Sequence, residues 1–107
     1  MKVTNLTSPR TNEKVANQFR ITNKHSDQTA FQSYESMIVI VDYRKAKITI
    51  DPYFYNYSKT TAKYFNQFFN ESPVVLDAQT VRKHIVKNKL KSFTSHNGFK
   101  VVFKSLN

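Results

Sequence analysis

Residues 52–69, PYFYNYSKTTAKYFNQFF, carry eight of the chain's fifteen aromatic side chains and change period half-way. Tyr53, Tyr55 and Tyr57 recur at every second position, the spacing of an extended strand with one row of rings on one face. From Ser58 onward the aromatics fall at Tyr64/Phe68 and Phe65/Phe69, the i, i+4 spacing of a helix. Ser58 or Thr60 can cap that helix by accepting from an unpaired first-turn amide. The stretch therefore predicts a strand end, a corner and an amphipathic helix over about 58–70, whose rings form the core against a sheet.

Strand patterns precede it. Lys2–Leu6 reads as a short strand, and Thr-Ser-Pro-Arg-Thr-Asn around Pro9 as a loop. Gln18–Thr22 and Thr29–Tyr34 alternate apolar and polar residues on either side of a charged connection, which predicts a hairpin. Met37–Val41 is continuously apolar and reads as a central strand covered on both faces. With Lys47–Asp51 it forms a second hairpin across Tyr43-Arg44-Lys45-Ala46, closed by Pro52.

After the aromatic helix Pro73 breaks the chain, and Val74–Leu76 reads as a short strand or a bridge. Asp77 caps a second helix over about 78–88, with Val81 and Ile85 inward. Thr80 stands where the reciprocal Glu or Gln of a capping box belongs, so that start signal is single. Ser92–Thr94 and Phe99–Phe103 flank His96-Asn97-Gly98, and Asn-Gly is a hairpin turn signal. The expected fold is α+β: one domain over 1–107, an antiparallel sheet of about five or six strands carrying two helices.

Charge is the strongest global signal. The chain carries a formal +10, and the surplus is concentrated at one end. Residues 78–107 hold seven basic side chains (Arg82, Lys83, Lys87, Lys89, Lys91, Lys100 and Lys104) and no acid. A one-signed region attracts polyanions or an acidic protein surface, whereas its bland counterpart is a solubilising face. Arg44, Lys45 and Lys47 lie on the adjoining hairpin turn close in sequence to Tyr53, Tyr55 and Tyr57, and basic groups beside aromatics are the ingredients of single-strand nucleic-acid binding. Against that stands a tyrosine row half-buried on the helix.

A search for chemistry returns little. One glycine, Gly98, excludes glycine-rich phosphate loops, and the absence of cysteine excludes thiolate catalysis and disulfides. His25, His84 and His96 show no metal-ligand spacing, and no metal or other cofactor is expected. The seven acids are scattered; Asp42 and Asp51 end the strands of one hairpin, where aspartate usually caps turns, and do not form a catalytic pair. We expect a non-enzyme. No signal peptide or spanning segment is visible, so a cytoplasmic protein without a membrane partner is expected.

The order FQSYESMIVIVDYRKAKITID followed by YSKTTAKYFNQFF resembles a family of small uncharacterised proteins of phages and conjugative elements of Gram-positive bacteria. The likeness covers about residues 18–70; residues 78–107 depart from it. It implies a mobile-element accessory protein in a bacterial host cell. Together with the basic tail, it gives two expectations of non-catalytic binding: an anti-defence, anti-CRISPR-like inhibitor of a host nucleoprotein complex, or a direct DNA- or RNA-binding protein using lysines and exposed tyrosines. The sequence fixes neither the target nor the oligomeric state.

Overall fold

The computed structural model describes residues 1–88, 91–95 and 97–107. Their order is β1 (Lys2–Thr7), β2 (Lys14–Asn23), β3 (Gln28–Ser33), β4 (Ser36–Asp42), β5 (Lys47–Ile50), α1 (Lys59–Asn70), α2 (Ala78–Asn88), β6 (Phe93–Thr94) and β7 (Lys100–Phe103). One seven-stranded sheet runs β1-β2-β3-β4-β5-β7-β6. The fold is α+β, with seven strands against the five or six expected.

One pairing breaks the expected antiparallel pattern. β7 joins β5 in parallel, with Lys47 opposite Lys100 and Ile50 opposite Phe103. Parallel neighbours need a long crossover, and both helices lie within it.

Helix boundaries follow the capping signals. Ser58, in extended backbone at φ −140°, accepts from the Thr61 amide at 3.1 Å. Asp77 accepts from the Thr80 amide at 2.7 Å. α1 buries Tyr64, Phe65, Phe68 and Phe69. Phe68 stacks on Phe31 of β3 with centroids 5.8 Å apart, and Phe65 meets Tyr55 edge-on at 6.0 Å. Arg20 lies 4.3 Å above the Phe68 ring, donates to the Phe68 carbonyl at 2.7 Å and pairs with Glu71 at 3.7 Å. This clamp ties the end of α1 to β2.

One expectation fails locally, since residues 52–57 form turns and bends and no strand. Asp51 sets this, because its Oδ1 accepts from the Tyr53 and Phe54 amides at 2.9 and 3.1 Å and so bends the chain before a strand can extend. Of the two readings of Val74–Leu76 the structure has the bridge, with Val74 and Leu76 buried in the core.

The two faces of the sheet differ. On the helix side Phe31, Val39, Val41, Ile48, Ile50 and Val101 are buried in one core cluster with the α1 rings. On the other side the register lines up Val3, Ile21, Ala30, Ile40, Thr49 and Val102 in a row across six strands. Ile40 is only half-buried there, so β4 is not covered on both faces as its apolar run predicts. The run stays unbroken because a register shift between Phe31 and Gln32 leaves Ile38 as an extra residue that turns into the core.

Candidate nucleic-acid interface

The parallel pairing gathers basic side chains that are far apart in the chain. Lys47 and Lys100 are Cα partners on adjacent strands and share the open face. Lys45, Lys47 and Lys104 line one shallow groove of about 240 Å³ with Gln28, Ile40, Asp42, Thr49 and Leu106. Lys45, Lys47, Lys100 and Lys104 are exposed and form no ion pair among the described residues. Arg44 is exposed on the β4–β5 turn beside them.

Asp42 is the acid within this corner. Its Oδ2 accepts from Gln28 Nε2 at 3.0 Å and its Oδ1 from the Lys45 amide at 3.0 Å, and these bonds hold its pKa below the ordinary value. Asp42 thus stays ionised and is engaged in shaping the turn. The net sign of the corner remains positive.

Other expected contact residues sit elsewhere. Arg82 and Lys83 are exposed on α2, in the layer opposite the open face, and Lys91 is exposed ahead of β6. Lys89 lies outside the described residues, as does the side chain of Lys87. The acid-free tail is therefore divided between two sides of the molecule. The tyrosine row is divided as well: Tyr53 and Tyr57 are 74% and 77% exposed, but Tyr55 is 3% exposed in the core. Burial raises the Tyr55 pKa, opposed by the positive charge of Arg82. No three-ring ladder exists, because the turn that replaces the predicted strand points Tyr55 inward.

Two residues take on a new place in the structure. Lys47, grouped by sequence with Arg44 and Lys45 beside the tyrosines, instead faces Lys100 across the parallel pairing. Tyr34, after β3, is 55% exposed and adopts φ 55°, a conformation that costs a non-glycine residue ~1–2 kcal/mol. It borders a cavity of about 520 Å³ between the β3–β4 turn and the start of α1.

Among the described residues neither acids nor histidines converge. Asp42 and Asp51 end opposite sides of their hairpin, and both accept backbone amides as turn caps. His84 is half-buried and stacked on Phe93 at 3.7 Å, so it is not the free surface residue that its basic helix implies. His96 lies outside the described residues. No group of three or more His, Cys, Asp or Glu able to hold a metal occurs among the described residues. Among them, too, no helix is long and apolar enough to cross a membrane.

A family model described as "Family of unknown function (DUF8033)" matches residues 1–88. The chain belongs to that family. The match extends well beyond the span 18–70 in which the sequence motifs lie, and takes in β1 through β5 and both helices. No curated protein matches the chain, and no solved structure does. The matched span contains Arg44, Lys45 and Lys47, whereas Lys100 and Lys104 follow it on β7 and at its end.

Proposed function

We propose that the protein is a non-catalytic nucleic-acid-binding module whose open sheet face holds a single strand, with Lys45, Lys47, Lys100 and Lys104 on its phosphates. The observation that carries this is the side-by-side placement of Lys47 and Lys100. Like charges directly opposite on neighbouring strands destabilise a sheet, by ~0.2–1 kcal/mol on the scale of cross-strand pairs. A solubilising surface has no need of that pairing, and a polyanion removes its cost. Asp42 of β4 stands opposite Lys47 on the other side and offsets part of that repulsion, but Lys100, Lys104 and Lys45 leave the corner with a positive surplus. Beside the lysines, half-buried Ile40 and Val102 offer apolar surface against which bases can rest.

The test is fluorescence anisotropy of a labelled single-stranded oligonucleotide across a salt series. Four phosphate contacts predict that log K falls with log[salt] at a slope of about −2.8, at ~0.7 per contact on a single strand. Salt-independent binding, or no binding at low salt, refutes the reading.

A second reading is favoured by the same apolar row, since Val3 is 58% exposed and Ile21, Ile40 and Val102 are half-buried without cover from either helix. In it the face docks on a host nucleoprotein complex and inhibits it, as an anti-defence protein carried by a phage or conjugative element of a Gram-positive bacterium. Such an origin follows from the YSKTT likeness and would place the protein in the bacterial cytoplasm. Pull-down from host lysate with and without nuclease separates the two: retention of a defence component that survives nuclease supports inhibition, and loss of all retained protein after nuclease supports direct binding.

A further inference from the structure

The cavity of about 520 Å³ falls within the size range of ligand pockets. It lies on the opposite end of β4 from the lysine corner, since Ser36 opens that strand and Asp42 closes it. Its lining is chemically distinctive. Ser33, Ser36, Ser58, Thr60 and Thr61 contribute hydroxyls, Tyr34, Phe54 and Tyr57 contribute rings, and no charged side chain lines it.

Three of those hydroxyls are occupied with one another. Ser33 Oγ and Thr61 Oγ1 lie 3.1 Å apart, and Ser58 Oγ donates to Thr61 Oγ1 at 3.1 Å. The hydroxyls of Ser36 and Thr60 have no hydrogen-bond partner among the described residues. Tyr57 rests against Phe54, with centroids 5.7 Å apart, and is otherwise exposed. Tyr34 holds its ring at the same cavity from a left-handed backbone. The lining thus combines exposed ring faces with free hydroxyls, which donate or accept equally well.

We infer that this cavity takes the base of an unpaired nucleotide, stacked on Tyr57 and Tyr34 and read at its edge by Ser36 and Thr60. A base offers a flat π-face for the rings and an edge of mixed donors and acceptors for the hydroxyls. No cationic side chain lines the cavity to neutralise a phosphate, whereas rings and hydroxyls match a base. The base must be unpaired, because pairing hides the edge. The inference rests on the proposed single-strand reading and extends it. The cavity opens on the helix side of the sheet, with core-facing Ile38 and Thr61 of α1 in its wall, so a strand held by the lysines passes round the β3–β4 end of the sheet to place a base in it.

The test uses free adenosine, guanosine, cytidine and uridine with the full chain, followed by amide chemical-shift mapping. Saturable shifts centred on Ser33–Ser36 and Phe54–Thr61 are expected. Tyr57→Ala should weaken nucleoside binding about 5- to 150-fold, the loss of one stacked base. Because Tyr57 is 77% exposed, the variant keeps its fold, and Tyr53→Ala, equally exposed but outside the cavity, should leave binding unchanged. If oligonucleotide binds with the expected salt slope while nucleosides move none of these resonances, the base pocket is refuted and the sheet-face reading stands. If nucleosides bind here and oligonucleotide shows no salt-dependent binding, the sheet-face reading falls and the pocket stands. Equal shifts from ribose alone, or an unaltered affinity in Tyr57→Ala, also overturn base recognition.

Discussion

Asp51→Asn tests the most connected polar group of the core. Asp51 is fully buried, and its two oxygens accept four hydrogen bonds: Oδ1 from the Tyr53 and Phe54 amides, Oδ2 from the Leu106 amide and Asn107 Nδ2 at 3.0 and 2.9 Å. Asparagine keeps one oxygen and turns an NH₂ toward the other pair of donors. Two bonds to a charged acceptor are lost, at ~1.5–3 kcal/mol each, which gives ~3–6 kcal/mol. Tyr53 and Asn107 are exposed, so their donors can turn to water, and about 3 kcal/mol is the expected value. Against a total of ~5–15 kcal/mol for a domain of this size, that is a large shift in the urea midpoint. The pH dependence carries a second signature. Burial raises the Asp51 pKa, but the four hydrogen bonds outweigh it and leave the group below its ordinary value. The unfolded chain therefore takes up the proton first as pH falls. The stabilisation is complete above the ordinary aspartate pKa and is lost as pH drops through the lower folded value. Urea titrations of both proteins between pH 7 and pH 3 should converge at the acid end. A variant within about 1 kcal/mol of the parent at pH 7, or an undiminished gap at pH 3, refutes the assignment.

Other perturbations separate binding from folding. Lys47→Gln with Lys100→Gln should lower the salt slope of oligonucleotide binding by about 1.4. The same double change should leave urea stability within ~1 kcal/mol of the parent, since it removes the like-charge pair with Lys100 and the opposite-charge pair with Asp42 together. Phe68→Ala should cost ~3–5 kcal/mol in chemical denaturation, because its ring is fully buried between Phe31, Phe69 and Arg20. Tyr34→Asn should raise the melting temperature, by the equivalent of ~0.5–1 kcal/mol, because asparagine tolerates the left-handed backbone. If Tyr34 is held there for binding, the more stable protein binds nucleosides less tightly.

The sequence was most legible where one residue decides a local outcome. Ser58 and Asp77 announced both helix starts because an N-cap acts through its own oxygen within one turn. The i, i+4 aromatics announced the buried face of α1, and Asn97-Gly98 announced the β6–β7 turn, where Gly98 adopts φ 84°. Legibility failed where distant partners decide. The period-two tyrosines predict one shared face, but a turn nucleated by Asp51 buries Tyr55 and leaves Tyr53 and Tyr57 exposed, and one carboxylate with four donors from two distant segments is invisible in local spacing. The bulge at Ile38 hid the open face of β4, since an extra residue shifts an alternating pattern by one and makes it read as continuous.

The largest miss concerns the site, and its cause is topological. Tail lysines and hairpin lysines each registered as charge, but nothing in either segment says that β7 lies parallel to β5. That pairing arises because α1, α2 and β6 lie between the two strands, and the β6–β7 turn reverses the chain so that β7 runs in the direction of β5. Had β7 followed β5 directly as a hairpin, the pairing would be antiparallel, and Lys100 and Lys104 would meet different partners. The crossover thus does two things at once. It seals the aromatic core under two helices, and it delivers Lys100 beside Lys47 on the face that the helices leave open. The matched family span supplies the helices and Lys47, while the strand that completes the basic corner lies beyond it. Affinity for a polyanion should then depend on β7 more than on α2, so Lys100→Gln with Lys104→Gln should weaken oligonucleotide binding in a salt-dependent way where Arg82→Gln with Lys83→Gln does not. Equal losses from the two pairs would mean that the charge acts as a diffuse field and that the sheet face is no site.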